Sequence, residues 1–397
     1  MKKVIIACLF AGVGVLGFSA SEEVEMYAYL YNLAQTHEDQ LALLQGMAES
    51  KISDAGEFYS DALASLVAGF NNISGANERL YAENQAILLA SLIGQEKYAD
   101  AAPNLWRAYL SFSDPLVKAE ALMSLGKVQA TQYLPHVVLE LTALNNNPPA
   151  RDPLSRERVA FGAVISLEKY GDISGYLPVY FASKGWYSER VKSQAVRSLR
   201  LIAEDPSEPM LVVIQGVGYN YPTRLTALQS VDEANVSRES KSRTALAAFE
   251  VAWGIETTDI REREQLKQIR LLAMKMIREN GCSDKSVYGL LAKSYKQYAE
   301  QRTGGDQYET YDAITTLGVL ATDDAAKTLS GFLNQLNNNA RFGSSNPAKD
   351  NDMARRVIPA MGATKQRSAR QELMVVNTLG WADAVKRLAQ DALNQLQ

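Results

Sequence analysis

Cysteine and histidine are nearly absent from this chain of 397 residues, with two of each. Cys8 falls in the N-terminal apolar run, so Cys282 is the thiol expected to remain after export, and neither an internal disulfide nor a thiolate-built zinc site is available. His37 sits among Gln35, Glu38 and Asp39, and His136 follows Pro135 in the first turn of a helix. Both positions read as solvated or capping, which leaves no ordinary transition-metal site and no histidine-centred catalysis. A surplus of positive charge is also missing. Lysine and arginine number 41 against 45 acids, and 39 against 45 once Lys2 and Lys3 are removed, a net charge of −6. That balance argues against nucleic acid, whose phosphates need a basic surface. Beyond the N-terminus no apolar run is long enough to span a bilayer, and no series of alternating residues reads as a set of strands. With no staple to rely on, the fold must rest on its hydrophobic core, which a chain of this length can supply.

The N-terminus reads as an export signal, residues 1–19. Lys2 and Lys3 precede an uncharged apolar stretch, Val4 to Phe18, and Gly17 and Ser19 are small residues suited to cleavage after Ser19. Glu22 and Glu23 end the stretch before it reaches membrane-spanning length. Ile5-Ile6-Ala7-Cys8 imitates a lipoprotein box, but the uncharged segment between Lys3 and Cys8 is too short for one. The mature chain is expected to be soluble, in a periplasm or secreted.

What the chain has in abundance is helical periodicity. Leu63, Leu66, Val67 and Phe70 keep the helical stripe, as do Leu271, Met274 and Ile277. Leu211 to Ile214 is the best strand candidate, yet Pro209 before it fits the first turn of a helix. Landmarks also recur. Ile93-Gly94 and Pro103 return in the same register as Leu125-Gly126 and Pro135. Tyr133-Leu134-Pro135 returns as Tyr176-Leu177-Pro178, the extra length being taken up by the Asn145 to Asp152 loop, and Pro209 follows at the shorter spacing. Arg190 to Ala203 and the helix opened by Pro209 read as one further pair. Leu317-Gly318 opens a later copy, and Leu379-Gly380, close to two periods on, is read as the end of the last. Recurrence with a period of about 20–50 residues means stacked helical units, none able to bury its apolar face alone.

Asp114-Pro-Leu-Val-Lys-Ala, followed by Ala-Leu-x-x-Leu-Gly and then Leu-Pro, resembles the HEAT repeat. The resemblance implies an all-α fold, a right-handed α-solenoid of stacked antiparallel helix pairs, whose usual role is to bind other macromolecules. It covers residues 80–397, strongest at 80–141, 155–215 and 307–333, and irregular at 224–300. Residues 20–79 are then an N-terminal helical cap. HEAT motifs carry no catalytic residue, so the resemblance supplies no active site, cofactor or metal.

Other constellations read as structural. Gly216-Val-Gly218-Tyr-Asn-Tyr221 imitates a dinucleotide fingerprint, but Tyr221 replaces the third glycine and no strand–helix alternation surrounds Asp232. It is read as a glycine-permitted turn. Asp323-Asp324 and Asp350-Asn351-Asp352 lack the calcium-loop continuation and read as helix caps, with Asp323 and Asp350 or Asp352 at the N-cap. The basic clusters Arg190, Lys192, Arg197, Arg200 and Arg261, Arg263, Lys267, Arg270 read as solvated helix faces with acidic neighbours. Cys282 is expected to be buried as a small apolar residue. Asn334 to Asn351, with its run of polar residues, reads as a long loop inserted in a repeat. Arg341 and Phe342 in that loop, and Tyr219 and Tyr221 in the glycine turn, are the candidate partner-binding residues. The leading functional expectation is an exported, non-enzymatic scaffold or adaptor that holds a protein partner or an envelope assembly, on a surface lined by the second helix of each pair. The alternatives are an enzyme or small-ligand binder on the same scaffold, and end-to-end self-association.

Overall fold

The computed structural model describes residues 20–300, 306–344 and 346–396. The export signal expected at residues 1–19 lies outside them. Among the described residues are twenty α-helices and no strand. Leu211 to Ile214 is helical, within the helix opened at Ser207. The helices divide into two compact units, separated in sequence between Glu204 and Asp205. That boundary falls between the two helices read as one pair around 190–211, and each packs within its own unit.

The first unit contains α1 (Ala20–Leu33), α2 (His37–Ser50), α3 (Gly56–Gly69), α4 (Ala76–Glu96), α5 (Ala102–Ser111) and α6 (Pro115–Lys127). It continues with α7 (Leu134–Asn146), α8 (Pro153–Tyr170), α9 (Tyr176–Lys184) and α10 (Glu189–Ile202). The packing alternates along the chain. Helices α2, α4, α6, α8 and α10 lie each against the next in that series, while α3 packs on α5 and α7 on α9. Helices α4, α6, α8 and α10 also pack on the chain neighbours that precede them in the second series, so the core is the seam between two layers. Leu89, Ile93, Leu122, Leu125, Val164 and Leu167 fill that seam with no exposed surface.

Local chemistry sets the helix starts. The Asp114 carboxylate accepts hydrogen bonds from the Leu116 and Val117 amides at 2.8 and 3.1 Å, and Pro115 at N1 needs no partner. The recurring glycines have a tertiary reason. A Cβ on Gly126 would stand 2.6 Å from the Ser166 carbonyl oxygen, and one on Gly162 would stand 2.5 Å from that of Ala119. Backbones of α6 and α8 therefore touch at two points where no side chain fits.

The second unit holds α11 (Ser207–Gln215), α12 (Tyr221–Glu233), α13 (Arg238–Gly254), α14 (Ile260–Asn280) and α15 (Ser286–Ala299). After them come α16 (Gln307–Leu320), α17 (Asp323–Phe342), α18 (Pro347–Thr364), α19 (Arg370–Val376) and α20 (Asp383–Gln395). The same alternation holds here, with α12, α14, α16, α18 and α20 in one series and α11, α13, α15, α17 and α19 in the other. The stretch read as irregular, 224–300, forms helices as long as any in the unit.

Three expectations are corrected. Asn334 to Asn351 is no long loop, because α17 runs through Phe342 and α18 begins at Pro347. Asparagine is a weak helix former, but Leu333, Leu336 and Asn337 are buried here. The Asn337 amide donates to the Glu372 carbonyl and accepts from the Trp381 indole at 3.0 Å, so tertiary contacts override the local preference. The caps differ as well. Thr322 caps α17, with Asp323 and Asp324 in its first turn. Asn346 caps α18, and Asp350 instead accepts from the Asn339 amide and the Ser344 hydroxyl. Finally, Leu379-Gly380 lies in a turn after α19, with open space around Gly380. The glycine that meets a neighbouring helix is Gly362, whose Cβ would stand 3.0 Å from Ala392 Cα.

Candidate functional site

The four candidate partner residues do not share a site. Tyr219 and Tyr221 flank the start of α12, whose packing partners are α11, α13 and α14. Both are half-buried. Arg224, itself buried, donates to the Tyr219 carbonyl and to the Gly216 carbonyl at 3.0 Å each, which holds the turn closed. Neither Gly216 nor Gly218 has a positive φ; a Cβ on Gly216 would stand 2.7 Å from the Val212 carbonyl oxygen. The first glycine thus serves close approach rather than a left-handed turn. Arg341 and Phe342 end α17, and Phe342 is 79% exposed.

Histidine chemistry is placed more definitely. The His37 ring lies 2.8 Å from the Gln85 amide oxygen, and its backbone amide donates to Glu78, so it ties α2 to α4. His136 is exposed against the Trp106 ring at 5.1 Å. Cys282 is half-buried rather than fully so, and burial pushes its thiol pKa up. Among the described residues no group of three or more histidine, cysteine or acidic side chains could hold a metal ion. No described helix is long and apolar enough to cross a membrane.

Two concave surfaces stand out, one in each unit. In the first, a groove of about 540 Å³ crosses the α4–α6–α8–α10 series. Ile87, Leu116, Met123, Leu154, Phe161 and Val191 line it. Leu154 is 64% exposed and Leu116 45%. The Arg190 guanidinium lies over the Phe161 ring at 4.7 Å, so one member of a cluster read as solvated packs on an aromatic face of the groove. Glu157, also in the lining, accepts from the Ser188 amide at 2.8 Å.

In the second unit a polar cleft of about 690 Å³ lies where α13, α14 and α15 meet. Its floor corrects the reading of the second basic cluster. Arg270 is buried and donates to both Glu309 carboxylate oxygens, at 2.6 and 2.9 Å. Its guanidinium also lies over the Trp253 ring at 4.5 Å. Lys267 bridges Asp306 at 3.0 Å and Glu264 at 3.5 Å. The hydrogen bond to Asp306 is the main reason its pKa is raised. Asp306 in turn caps α16 through the Glu309 amide. Helical spacing puts Arg263, Lys267 and Arg270 on one face. Glu264 is a neighbour on the same helix, but Asp306 and Glu309 belong to the next helix of the series, too far along the chain to leave a trace in a local pattern.

No protein-family model and no curated protein matches the chain.

Proposed function

We propose that this chain is an exported, non-enzymatic scaffold built of HEAT-like antiparallel helix pairs stacked as a solenoid, and that it holds a protein partner in the groove of its first unit. The observation that carries the reading is that groove. Six apolar side chains from four successive helices of one series line it; Val191 is buried beneath, and two leucines are about half exposed or more. A contiguous exposed apolar surface rimmed by charge is the usual mark of an interaction site. Helix-on-helix alternation and recurring glycines at helix crossings support the repeat reading. The expected working face accordingly moves from the second helix of each pair to the first.

The test is photo-cross-linking in intact cells, with the reactive residue at Met123 or Leu154 in the groove, or at Leu139 on the other layer. One abundant partner linked from the groove positions and absent from Leu139 supports the scaffold. Equal linkage from all three positions, links only to second copies of the chain, or turnover of a generic ester, phosphate or glycoside panel by the purified protein refutes it.

A further inference from the structure

The cleft of the second unit has no part in that scaffold role, and its chemistry is of another kind. Five cations surround it, Arg263, Lys267, Arg270, Lys293 and Lys296. Five carboxylates answer them: Glu256, Glu264 and Asp306 in the lining, Glu309 beneath Arg270, and Glu300 at 4.0 Å from Lys296. A site for an oxyanion needs a surplus of positive charge, and a site for an apolar ligand needs an apolar wall. Here the five lining cations meet three carboxylates in the lining and two just outside it, and polar side chains outnumber the apolar Ala252, Ile255, Ile260 and Leu266. The lining holds donors (Arg263, Lys293, the Gln297 amide) and acceptors (Glu256, Glu264) together with a partly buried indole, Trp253. A ligand that both donates and accepts at several points matches such a wall, and a hydroxyl group does both.

Trp253 narrows the choice. Its indole N–H is buried with no hydrogen-bond partner among the described residues. Burying an unpaired donor is costly, so the side chain is not placed there for its N–H. What it offers is the ring surface left beside the Arg270 guanidinium, which lies over the ring at 4.5 Å and is held by two hydrogen bonds to Glu309, with the exposed Lys293 ammonium farther off at 5.9 Å. A rigid aromatic surface beside mixed donors and acceptors suits a ring with C–H faces and hydroxyl edges. We infer that this cleft is a saccharide-binding site, taking a neutral, hydroxyl-rich sugar ring or a short oligosaccharide. Its volume lies within the range of small-molecule sites.

The experiment uses the full chain labelled with fluorotryptophan. Its four tryptophans, 106, 186, 253 and 381, yield fluorine NMR signals assigned by single replacement with phenylalanine. Maltotriose, cellotriose and chitotriose are titrated in turn, then inorganic phosphate. The expected result is that at least one trisaccharide moves the Trp253 signal alone. Glu264→Gln and Gln297→Ala, both at solvent-accessible positions, should each weaken that sugar by about tenfold, the size of one lost hydrogen bond to a charged or polar group. Three results overturn the inference: no trisaccharide moves Trp253, the shift survives both substitutions at full affinity, or phosphate moves the signal at a lower concentration than any sugar. None of them bears on the groove of the first unit, which is read by cross-linking.

Discussion

Replacing Gly126 by alanine puts the repeat architecture to a direct test. In isolation the change favours the helix by about 1 kcal/mol, because glycine is that much poorer than alanine in a helix interior. In place, the new Cβ would stand 2.6 Å from the Ser166 carbonyl oxygen and 2.7 Å from its Cα. Ordinary contact lies near about 3.5–4.0 Å, so α6 and α8 must part by about 1 Å, and a gap of that size forfeits a quarter to a half of each dispersion contact along the seam. Backbone cannot turn aside as a side chain can, so the overpacking cost is about 1–3 kcal/mol or more. It should exceed the helix gain. With about 2–4 °C per kcal/mol for a unit of this size, a net loss of up to about 2 kcal/mol should lower the melting temperature of the first unit by up to about 8 °C. Other glycines grade the effect. Gly162→Ala meets the Ala119 backbone at 2.5 Å and should be at least as damaging. Gly94→Ala meets the Ser124 side chain at 2.6 Å and should cost less, since a hydroxyl can rotate. Gly318→Ala, at 3.1 Å from Ala360, should be milder still. Gly331→Ala, exposed in the interior of α17 with open space around it, should stabilise the second unit by about 1 kcal/mol. Far-UV circular dichroism during urea and thermal denaturation measures the series. If Gly126→Ala and Gly162→Ala match Gly331→Ala in sign, the close approach of α6 and α8 is wrong.

Arg270→Ala leaves the Glu309 carboxylate, 2% exposed, without its bidentate partner and should destabilise the second unit by about 3–5 kcal/mol, read by urea midpoint. Arg270→Met with Glu309→Leu should recover most of that loss; no recovery would show that the pair does more than satisfy its own charges. Acid should weaken the same unit through Asp306. Burial pushes its pKa up, but the Glu309 amide and the Lys267 ammonium outweigh burial and hold it below the usual carboxyl value. A depressed carboxyl contributes stability that is complete above its unfolded pKa and lost as the pH falls through the folded value. The Asp306→Asn variant should therefore lose less stability than the parent as the pH falls from about 5 to about 3. Cys282 should react slowly with iodoacetamide in the folded protein and fast in urea, since partial burial raises its thiol pKa and lowers the thiolate fraction; equal rates in both states would place the thiol in open solvent.

Much of the secondary structure is legible without coordinates. Asp114-Pro115 announces a helix start, and the Leu63–Leu66–Phe70 stripe announces a buried face, because capping and amphipathicity act within a turn or two of helix. Misreadings fall where a side chain's partner is far away in the chain, or where adjacent polar residues compete for one place. The asparagines of 337–339 suggest a loop, and nothing nearby hints that the distant Trp381 donates its indole N–H to Asn337. Thr322 rather than Asp323 is the cap because capping depends on the one residue with extended backbone at the helix start, and neighbouring polar residues compete for that place.

The same division runs through the candidate surfaces. From residues alone came the all-helical class, the recurrence of Gly94, Gly126 and Gly318, and the scarcity of histidine and cysteine. All of these depend on composition or on spacing along one helix. Only the tertiary structure decided that Gly126 is a contact between backbones, that Gly362 and not Gly380 occupies such a position near the end of the chain, and that Arg270 is buried on Glu309 beneath Trp253. Periodicity states which face of a helix is apolar, but which residues of another helix that face meets depends on how the layers are stacked, and no local pattern carries that information.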